Sequence, residues 1–310
     1  MKKTITILTP TYNEVGNIDE LYSRISKITE KNQKYNFEHL VIDNASNDGT
    51  IEKLRQIAKK DKKFKAILNV RNFGVAASMM HAFMQVQTDT CIHIASDLQD
   101  PPEIIPDLIK KWEEGFKVVV LVKNESEEGR LIFFLRKIYY RFLTKISEAP
   151  PIENSTGNGL VTREVLNILK EINDPVPFFR GLLVELGFPI GRVYFKQPLR
   201  KKGSSSNGFS QLYESAILGI ISHSNLPVRF LSIFGFILSI LSFSLATTYI
   251  ILKFFYWDSF EVGMAPLLIG LFFFASIQMF FLGLIGEYIA VIHTRVRNTP
   301  PVSEVERINF

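Results

Sequence analysis

Cysteine is nearly absent from this chain, because Cys91 is the single cysteine among 310 residues. One cysteine cannot form an internal disulfide, so the fold has no disulfide framework and suits a reducing compartment. The N-terminal residues also lack the pattern of a signal peptide, since the apolar stretch at residues 1–8 is short and polar residues 9–13 follow directly. We therefore expect a domain that folds without disulfides and carries no cleaved leader.

The sequence also lacks the pattern of a nucleic-acid-binding protein. Its formal net charge is only +5, and its basic residues are not interleaved with aromatic ones as single-strand binding requires. A basic side facing a membrane is equally compatible with this charge. We expect no nucleic-acid partner.

Long hydrophobic runs, by contrast, are present near the C-terminus. Phenylalanine is abundant, with 26 residues, and the uncharged runs 230–252 and 262–286 contain 23 and 25 residues. Uncharged runs of about 18 residues or more are typical of transmembrane helices. A buried helical hairpin is the alternative, and it is disfavoured because neither run has much of a polar face. We predict two transmembrane helices.

Charges around these runs predict their orientation. Basic residues flank the pair at Arg229 and within residues 293–297, whereas the short connection mixes Lys253 with Asp258 and Glu261. By the positive-inside rule, both ends lie on the cytoplasmic side. We expect an integral protein of the cytoplasmic membrane whose catalytic domain and termini are cytoplasmic.

The first 125 residues alternate strand and helix patterns. Strands are predicted at residues 4–9, 39–43, 65–70, 91–95 and 117–122, and helices at 18–29, 50–60 and 75–87. Such alternation is typical of an α/β fold with a mostly parallel sheet. Ligands bind such sheets beyond the carboxyl ends of the strands. Polar segments 10–14, 43–48 and 97–100 follow three of these strands, so we predict a substrate cleft there.

Two amphipathic segments separate the predicted units. Residues 129–147 place apolar residues at helical spacing with basic residues between them, which favours a helix in the membrane interface or an ordinary packed helix equally. Residues 209–227 lead into the first hydrophobic run. We predict a catalytic domain at 1–208, an interfacial linker helix at 209–227, and the two spans with a cytoplasmic tail at 228–310.

Asp97 and Gln99 are candidate metal ligands. Strand alternation would place these two side chains on the same side, and their oxygens suit a hard cation such as Mg²⁺ together with a diphosphate. A turn that starts a helix at residues 100–103 is the other interpretation, and both can hold together.

Other polar side chains at the predicted edge suit a nucleotide-sugar. Asp43 could accept hydrogen bonds from a base or ribose, Tyr12 could cover a base, and Glu14 could accept from the base or cap the next helix. Lys123 after the fifth strand could neutralise a phosphate. Arg200 could do the same, at the start of a basic and Gly-Ser-rich stretch that is typical of a mobile lid.

Four motifs resemble, in order and spacing, the family-two glycosyltransferases of GT-A fold: PTYNE at 10–14, DNASNDGT at 43–50, RNFG at 71–74 and DLQDPPE at 97–103. The resemblance is closest to polyprenyl-phosphate hexosyltransferases, the group of dolichol-phosphate mannose synthase and bactoprenol glucosyltransferase. FRGL at 179–182, residues 200–206 and the paired spans resemble that group too. The resemblance covers nearly the whole chain, and the combination of motifs is highly specific.

This resemblance implies inverting transfer of a hexose from a nucleotide-diphosphate sugar to a polyprenyl phosphate of undecaprenyl type at the cytoplasmic face. It implies that the nucleotide is bound by Pro10, Tyr12, Glu14 and Asp43. It also implies that Mg²⁺ or Mn²⁺ is held by Asp97 and Gln99, and that the catalytic residues are Asp97, Lys123 and Arg200, the latter two meeting phosphates.

Two positions depart from the family pattern. Ala95 stands where the family usually has a second acidic residue, which leaves Asp97 as the one carboxylate expected there. Asn158 stands where bactoprenol glucosyltransferases tend to have an Asp proposed as base, in a loop at 155–159. A hydroxyl acceptor needs a base, whereas a phosphate monoester, with a second pKa of about 6, arrives ionised. The amide therefore favours a lipid-phosphate acceptor.

Two other functions stay open. A transferase acting on a hydroxyl of a lipid or glycan would need a base from elsewhere. A degenerate transferase that serves as a membrane scaffold would explain both Ala95 and Asn158. The sequence is also compatible with a homo-oligomer, and membrane lipid is an expected partner of the protein.

Overall fold

The computed structural model describes residues 2–124, 152–172, 174, 179–198, 226–256, 264–296 and 302–310. The chain forms two compact units. One comprises residues 1–219 with 297–310, and the other residues 220–296.

Eight strands build the sheet of the first unit. Their bounds are β1 Thr4–Thr11, β2 Asn36–Asp43, β3 Phe64–Asn69, β4 Thr90–His93, β5 Val118–Lys123, β6 Ser155–Thr162, β7 Ile190–Phe195 and β8 Glu304–Ile308. They lie in the order β7-β5-β6-β4-β1-β2-β3-β8. The β1–β2, β1–β4, β2–β3 and β5–β7 pairs are parallel, whereas β6 and β8 run antiparallel to their neighbours. The predicted mostly parallel α/β sheet is confirmed.

Among the described residues, six helices accompany this sheet. They are α1 Ile18–Lys31, α2 Thr50–Lys60, α3 Val75–Gln85, α4 Ile105–Glu113 after a 3₁₀ turn at Pro102–Ile104, α5 Arg163–Ile172 and α6 Phe179–Glu185. The strands and helices predicted in the first 125 residues match the structure to within three residues at each end.

Side chains of the strands are buried on both faces of the sheet. Along β5, Val118, Val120 and Val122 belong to one apolar cluster, whereas Val119 and Leu121 belong to another. Burial on both faces explains why this strand is a continuous run of β-branched and aliphatic residues. The sheet therefore provides a rigid base for the loops at its carboxyl edge.

The last residues of the chain form an edge strand of this sheet instead of a free tail. Strand β8 pairs with β3, with Glu306 opposite Leu68. Arg55 Nη2 lies 2.7 Å from Glu306 Oε2. Asn309 Nδ2 also donates to the carbonyl oxygens of Ala58 and Phe64, at 2.7 and 2.8 Å. These residues therefore belong to the first unit, although the sequence predicts them to be a tail that follows the two hydrophobic runs.

The second unit contains two long apolar helices, α7 Leu226–Phe255 and α8 Met264–Val296. Residues 228–255 and 270–294 have mean hydropathies of 2.1 and 1.7, and no residue in their most apolar stretches is buried. Both helices extend beyond the uncharged runs, because Arg229, Lys253 and residues 287–296 continue the helical backbone. The prediction of two helices able to cross a membrane is confirmed.

Several predicted features lie outside the described residues. These are the amphipathic segment at 129–147, the linker segment from 209 to 225, Arg200 with its Gly-Ser-rich stretch, and Asp258 and Glu261 between the spans.

Candidate active site

The predicted polar segments meet at the carboxyl edge of three neighbouring strands. Strand β1 lies between β4 and β2, and Thr11 is paired with Asp43. Non-glycine residues with positive φ lie in all three loops, at Asn13, Ala45 and Leu98, with φ of 55°, 62° and 61°. Such conformations are uncommon and cluster at functional sites. The structure therefore brings the three polar segments to one edge of the sheet, and their role in a substrate cleft stays a prediction.

Asp43 is the last residue of β2, and its side chain holds the loop that follows. Its side chain is fully buried, and its carboxylate accepts hydrogen bonds from Ser46 N and Ser46 Oγ at 2.8 and 2.5 Å. Burial raises the pKa of Asp43, while the bonds from Ser46 act in the opposite direction. Asn13 N donates to Ser46 Oγ at 2.8 Å, and Asn47 N donates to Asn13 Oδ1 at 2.9 Å. These contacts hold the loops after β1 and β2 together.

The residues after β1 differ in exposure. Tyr12 is 39% exposed and Pro10 is half-buried, so both can meet a ligand. Glu14 is buried, and its carboxylate accepts from Asn17 Nδ2 at 2.6 Å. Its carbonyl oxygen also accepts from Asn17 N and Ile18 N at the start of α1. Of the two roles considered for Glu14, the geometry favours helix initiation, and its contact with a nucleotide stays a prediction.

Asn44 connects this edge to the RNFG segment at 71–74. Its Oδ1 accepts from Asn69 Nδ2, Phe73 N and Ser78 Oγ at 3.1, 2.9 and 2.9 Å. Its Nδ2 donates to Asn72 Oδ1 at 2.9 Å. One buried amide therefore fixes the segment after β3 against the segment after β2.

Two buried polar atoms at the same edge have no hydrogen-bond partner among the described residues. They are Thr11 Oγ1 and Asn69 Oδ1. Buried polar groups are normally paired, and both atoms flank the Asp43–Asn44 corner.

Asp97 and Gln99 do not lie on a strand, which corrects the reason for which the sequence placed them together. Strand β4 ends at His93, and Leu98 has a left-handed backbone between the two residues. Asp97 Oδ1 accepts from Gln99 N at 3.1 Å. The pair is therefore brought together by a tight turn and not by strand alternation, and both side chains are half-buried.

Asp100 is a site residue that sequence reasoning missed. It was interpreted as part of a helix-starting turn, but the 3₁₀ turn begins with Pro101 as its N-cap. Asp100 is buried, and its Oδ2 accepts a hydrogen bond from Asn158 Nδ2. Burial raises the pKa of Asp100 to about 6, against the opposing influence of the Asn158 bond. Asn158 lies in β6, so residues 155–159 form a strand and not the expected loop.

Two cations lie near this carboxylate. Asp97 raises the pKa of Asp100 further, whereas the positive charges of Lys123 and Arg180 lower it. Lys123 is the last residue of β5, and its N donates to Asn154 O at 3.0 Å. Arg180 is the second residue of α6. The sequence connected Arg180 only to a family motif, and the structure brings it to the same cluster as Asp97 and Lys123.

The residues at this turn fit a divalent cation that is shared with a ligand. In the part of the chain that the structure describes, no three His, Cys, Asp or Glu side chains form a complete metal site. Mg²⁺ commonly keeps its water and uses one or two carboxylates plus substrate phosphates. Asp97 with Gln99 offers that partial set.

Comparison with known proteins gives a consistent result. The sequence model described as "Glycosyl transferase family 2" matches residues 6–169. The chain is 31% identical to the uncharacterized glycosyltransferase YkcC of Bacillus subtilis, over 95% of this chain and 91% of that protein. It is 30% identical to the SfII prophage-derived bactoprenol glucosyl transferase of Shigella flexneri, over 96% of each chain.

Among solved structures, the chain is similar to glucosyl-3-phosphoglycerate synthase from Mycobacterium tuberculosis in complex with Mn²⁺, UDP-glucose and phosphoglyceric acid. The identity is 17%, the TM-score is 0.47, and the match covers 71% of this chain and 78% of that one. The family match spans more than half of the chain, and it includes Asp43, Asp97 and Asn158. The chain therefore belongs to glycosyl transferase family 2 and is a glycosyltransferase.

Proposed function

We propose that this glycosyltransferase transfers a hexose, with inversion, from a nucleotide-diphosphate sugar to a polyprenyl phosphate at the cytoplasmic face of the membrane. The observation that carries the proposal is the hydrogen bond from the Asn158 amide to buried Asp100. An amide cannot take a proton from an acceptor, so an acceptor that is already anionic suits the site best. The names of relatives as bactoprenol glucosyl transferases support a lipid acceptor.

The donor nucleotide would bind over β1 and β2. Asp43 would accept from the base or ribose, exposed Tyr12 would cover the base, and Pro10 would shape the floor of the site. Glu14 would act through the start of α1. The tight hydrogen bonding of Asp43 with Ser46 supports this assignment, because a site that is rigid before binding loses less entropy when the donor binds.

The diphosphate would lie over the turn after β4. Asp97 and Gln99 would hold Mg²⁺ or Mn²⁺ there, and a bound cation would supply electrostatic stabilisation of the leaving diphosphate. Lys123, at the end of β5, would add a positive charge to the same phosphates, and Arg200 is proposed for the same role. Charge that builds up in the transition state is what such groups stabilise selectively.

The way in which the chain returns to the sheet supports the membrane topology that we propose. Helices α7 and α8 each have the length and hydropathy of a span, and β8 is a strand of the same sheet as β1–β7. From Val296 to Glu304 the chain can extend at most about 28 Å, which is less than the roughly 30 Å of a hydrocarbon core. Both ends of the helical pair are thus proposed to lie on the catalytic domain's side.

Cysteine labelling from outside intact cells tests this topology. Cys91 is buried, so background labelling of the native protein should be low. A cysteine introduced at Ser259, between the spans, should react with a membrane-impermeant maleimide, and one at exposed Ser303 should not. Labelling at Ser303 in intact cells would overturn the proposed orientation.

The reaction itself is tested with detergent-solubilised full-length protein, a panel of nucleotide-sugars, and either a polyprenyl phosphate or the matching polyprenyl alcohol. Transfer to the phosphate alone is expected, with activity falling below about pH 6 as the monoester becomes protonated. Equal transfer to the alcohol would favour the hydroxyl-acceptor function. Binding of a nucleotide-sugar with no turnover on either acceptor would favour the scaffold function, to which Ala95 also points.

A further inference from the structure

Arg180 is held in place by its neighbour in α6. The Phe179 ring meets the Phe83 ring edge to face, with centroids 5.4 Å apart, and it packs against the apolar cluster that contains Leu166 and Leu183. The start of this short helix is therefore fixed to the core of the first unit. The position of Arg180 follows from that anchor.

Gly157 provides the surface on which Arg180 lies. A Cβ added at Gly157 would lie 3.2 Å from Arg180 Cγ and 3.5 Å from Arg180 Nε, and the φ of Gly157 is +85°. A side chain there would be strained and would push the arginine away. The absence of a side chain at 157 thus lets the arginine pass close to the β6 backbone, directly beside Asn158.

The surroundings of Arg180 are suited to an anionic ligand. The neighbouring Asn158 side chain is a neutral amide, and it donates to Asp100. A guanidinium presents a planar fork of donors that matches a phosphate better than a point charge does. The cation is exposed, so a ligand can reach it.

Sheet order separates this cation from the nucleotide. Strand β6 lies on the far side of β4 from β1 and β2, which carry the nucleotide residues. The turn with Asp97 follows β4, in between. Arg180, which lies across Gly157 of β6, is therefore on the side of the Asp97 turn that faces away from the two strands carrying the proposed nucleotide residues.

We propose that Arg180, lying across Gly157, binds the phosphate of the acceptor and makes this site select a phosphate monoester over an alcohol. The proposal rests on the proposed function, since it names the residue that would recognise its acceptor. It assigns a role to the FRGL motif, which the donor site does not use.

Steady-state kinetics of the full-length Arg180→Gln variant test the proposal, with polyprenyl phosphate and nucleotide-sugar varied separately. We expect the KM for polyprenyl phosphate to rise at least ~10-fold, as for loss of a charge-assisted hydrogen bond. The KM for the donor and slow donor hydrolysis without acceptor should not change. Arg180→Lys should recover part of the loss, and Arg192→Gln, on the exposed side of β7, is the matched control.

Binding of a short-chain polyprenyl phosphate, measured by calorimetry without donor, gives a readout that needs no turnover. Wild type and Arg192→Gln should bind, and Arg180→Gln should bind at least ~10-fold more weakly. An unchanged acceptor KM in Arg180→Gln would overturn the proposal while the proposed function stands. A rise in donor KM instead would assign Arg180 to the diphosphate, and wild-type transfer to the alcohol but not to the phosphate would overturn both proposals.

Discussion

The two sides of the carboxyl edge are built on different physical principles. On the side of β1, β2 and β3, here called the donor side, Asn13, Asp43, Asn44 and Ser46 bind one another and the backbone through short hydrogen bonds. On the side of β4, β5 and β6, here called the transfer side, the dominant groups are charges. They are Asp97, Asp100, Lys123 and Arg180, with the amide of Asn158 among them.

This difference indicates a division of labour between recognition and chemistry. A network of satisfied hydrogen bonds fixes shape and recognises a ligand whose charge does not change during the reaction. Clustered charges act most strongly on a ligand whose charge is redistributed in the transition state. Substitutions on the donor side should therefore change stability and donor KM, and those on the transfer side should change turnover.

The largest expected effect is on the transfer side, for Asp97→Asn. This change nearly conserves shape but removes the one carboxylate in the Asp97–Gln99 turn. We expect turnover to fall at least ~10²-fold, as when a principal electrostatic stabiliser is removed, with the fold intact. Chelator should abolish wild-type activity, and Mg²⁺ or Mn²⁺ should restore it.

Asp107→Asn on the exposed surface of α4 is the matched control for loss of one carboxylate. It should retain wild-type turnover. Full activity of Asp97→Asn in the presence of chelator would show that a cation-independent site, for instance one built on Lys123, stabilises the leaving diphosphate.

The second prediction concerns the pH dependence of stability. It compares two buried histidines, one in a strand of the donor side and one in a strand of the transfer side. Burial lowers the pKa of His39 in β2 to about 4 and that of His93 in β4 to about 3. The unfolded chain therefore binds protons first as pH falls below about 6.5. Each neutral imidazole contributes stability above pH 6.5 that is lost as pH falls toward its folded pKa. At pH 4 the loss is on the order of 3 kcal/mol for each histidine.

Pulse proteolysis in urea of the full-length protein in detergent, between pH 7.5 and 4.5, measures this loss. His39→Gln and His93→Gln should each flatten the pH dependence, whatever their stability at pH 7.5. A slope that the two buried substitutions do not alter would show that these imidazoles are charged in the folded protein.

Much of the donor side could be predicted from sequence because its determinants are local. The alternation of strand and helix patterns and the polar residues that directly follow the strands can be recognised within short stretches of sequence. The structure places the strands β1, β2 and β3 within three residues of their predicted bounds. The two spans could be predicted for the same reason, since composition alone distinguishes an uncharged run of that length.

The transfer side could not be predicted in this way because its contacts join residues far apart in the chain. The Asp100–Asn158 bond crosses 58 residues, and neither residue's neighbours indicate the other. Strand β8 is a similar case, because a five-residue segment with three charged side chains suits an exposed tail, and only the edge offered by β3 makes it a strand. Turn geometry at Leu98 also replaced the strand alternation that was expected to align Asp97 with Gln99.

The third prediction tests the donor side through Asn44→Ala. This substitution removes the acceptor of Asn69 Nδ2, Phe73 N and Ser78 Oγ in a buried corner. We expect the free energy of unfolding to fall by about 2 kcal/mol, as for buried donors left unpaired, and the donor KM to rise while acceptor KM stays constant. Asn47→Ala is the control, because only its backbone N–H bonds to Asn13.

The smallest expected effect concerns β8, the strand by which the chain returns from the membrane helices. Asn309, with a φ of 60°, ends this strand and donates from Nδ2 to three carbonyl oxygens, those of Ala58, Asp61 and Phe64. Asn309→Asp keeps the shape but replaces a donor with a charged acceptor facing carbonyl oxygens. At a half-buried position we expect a loss of about 1 kcal/mol in the free energy of unfolding.

Strand β8 is connected to the donor side, because Ser303 O accepts from Val70 N at 2.9 Å, directly before the RNFG segment. We therefore expect a loosened β8 to disturb the donor side. The donor KM should rise about 2- to 3-fold, which is below the factor of about 5 that corresponds to 1 kcal/mol. The acceptor KM should not change. Phe310→Ala, at an exposed neighbouring position, is the control. An increase confined to the acceptor KM would show that β8 supports the transfer side, and the division between the two sides would have to be redrawn.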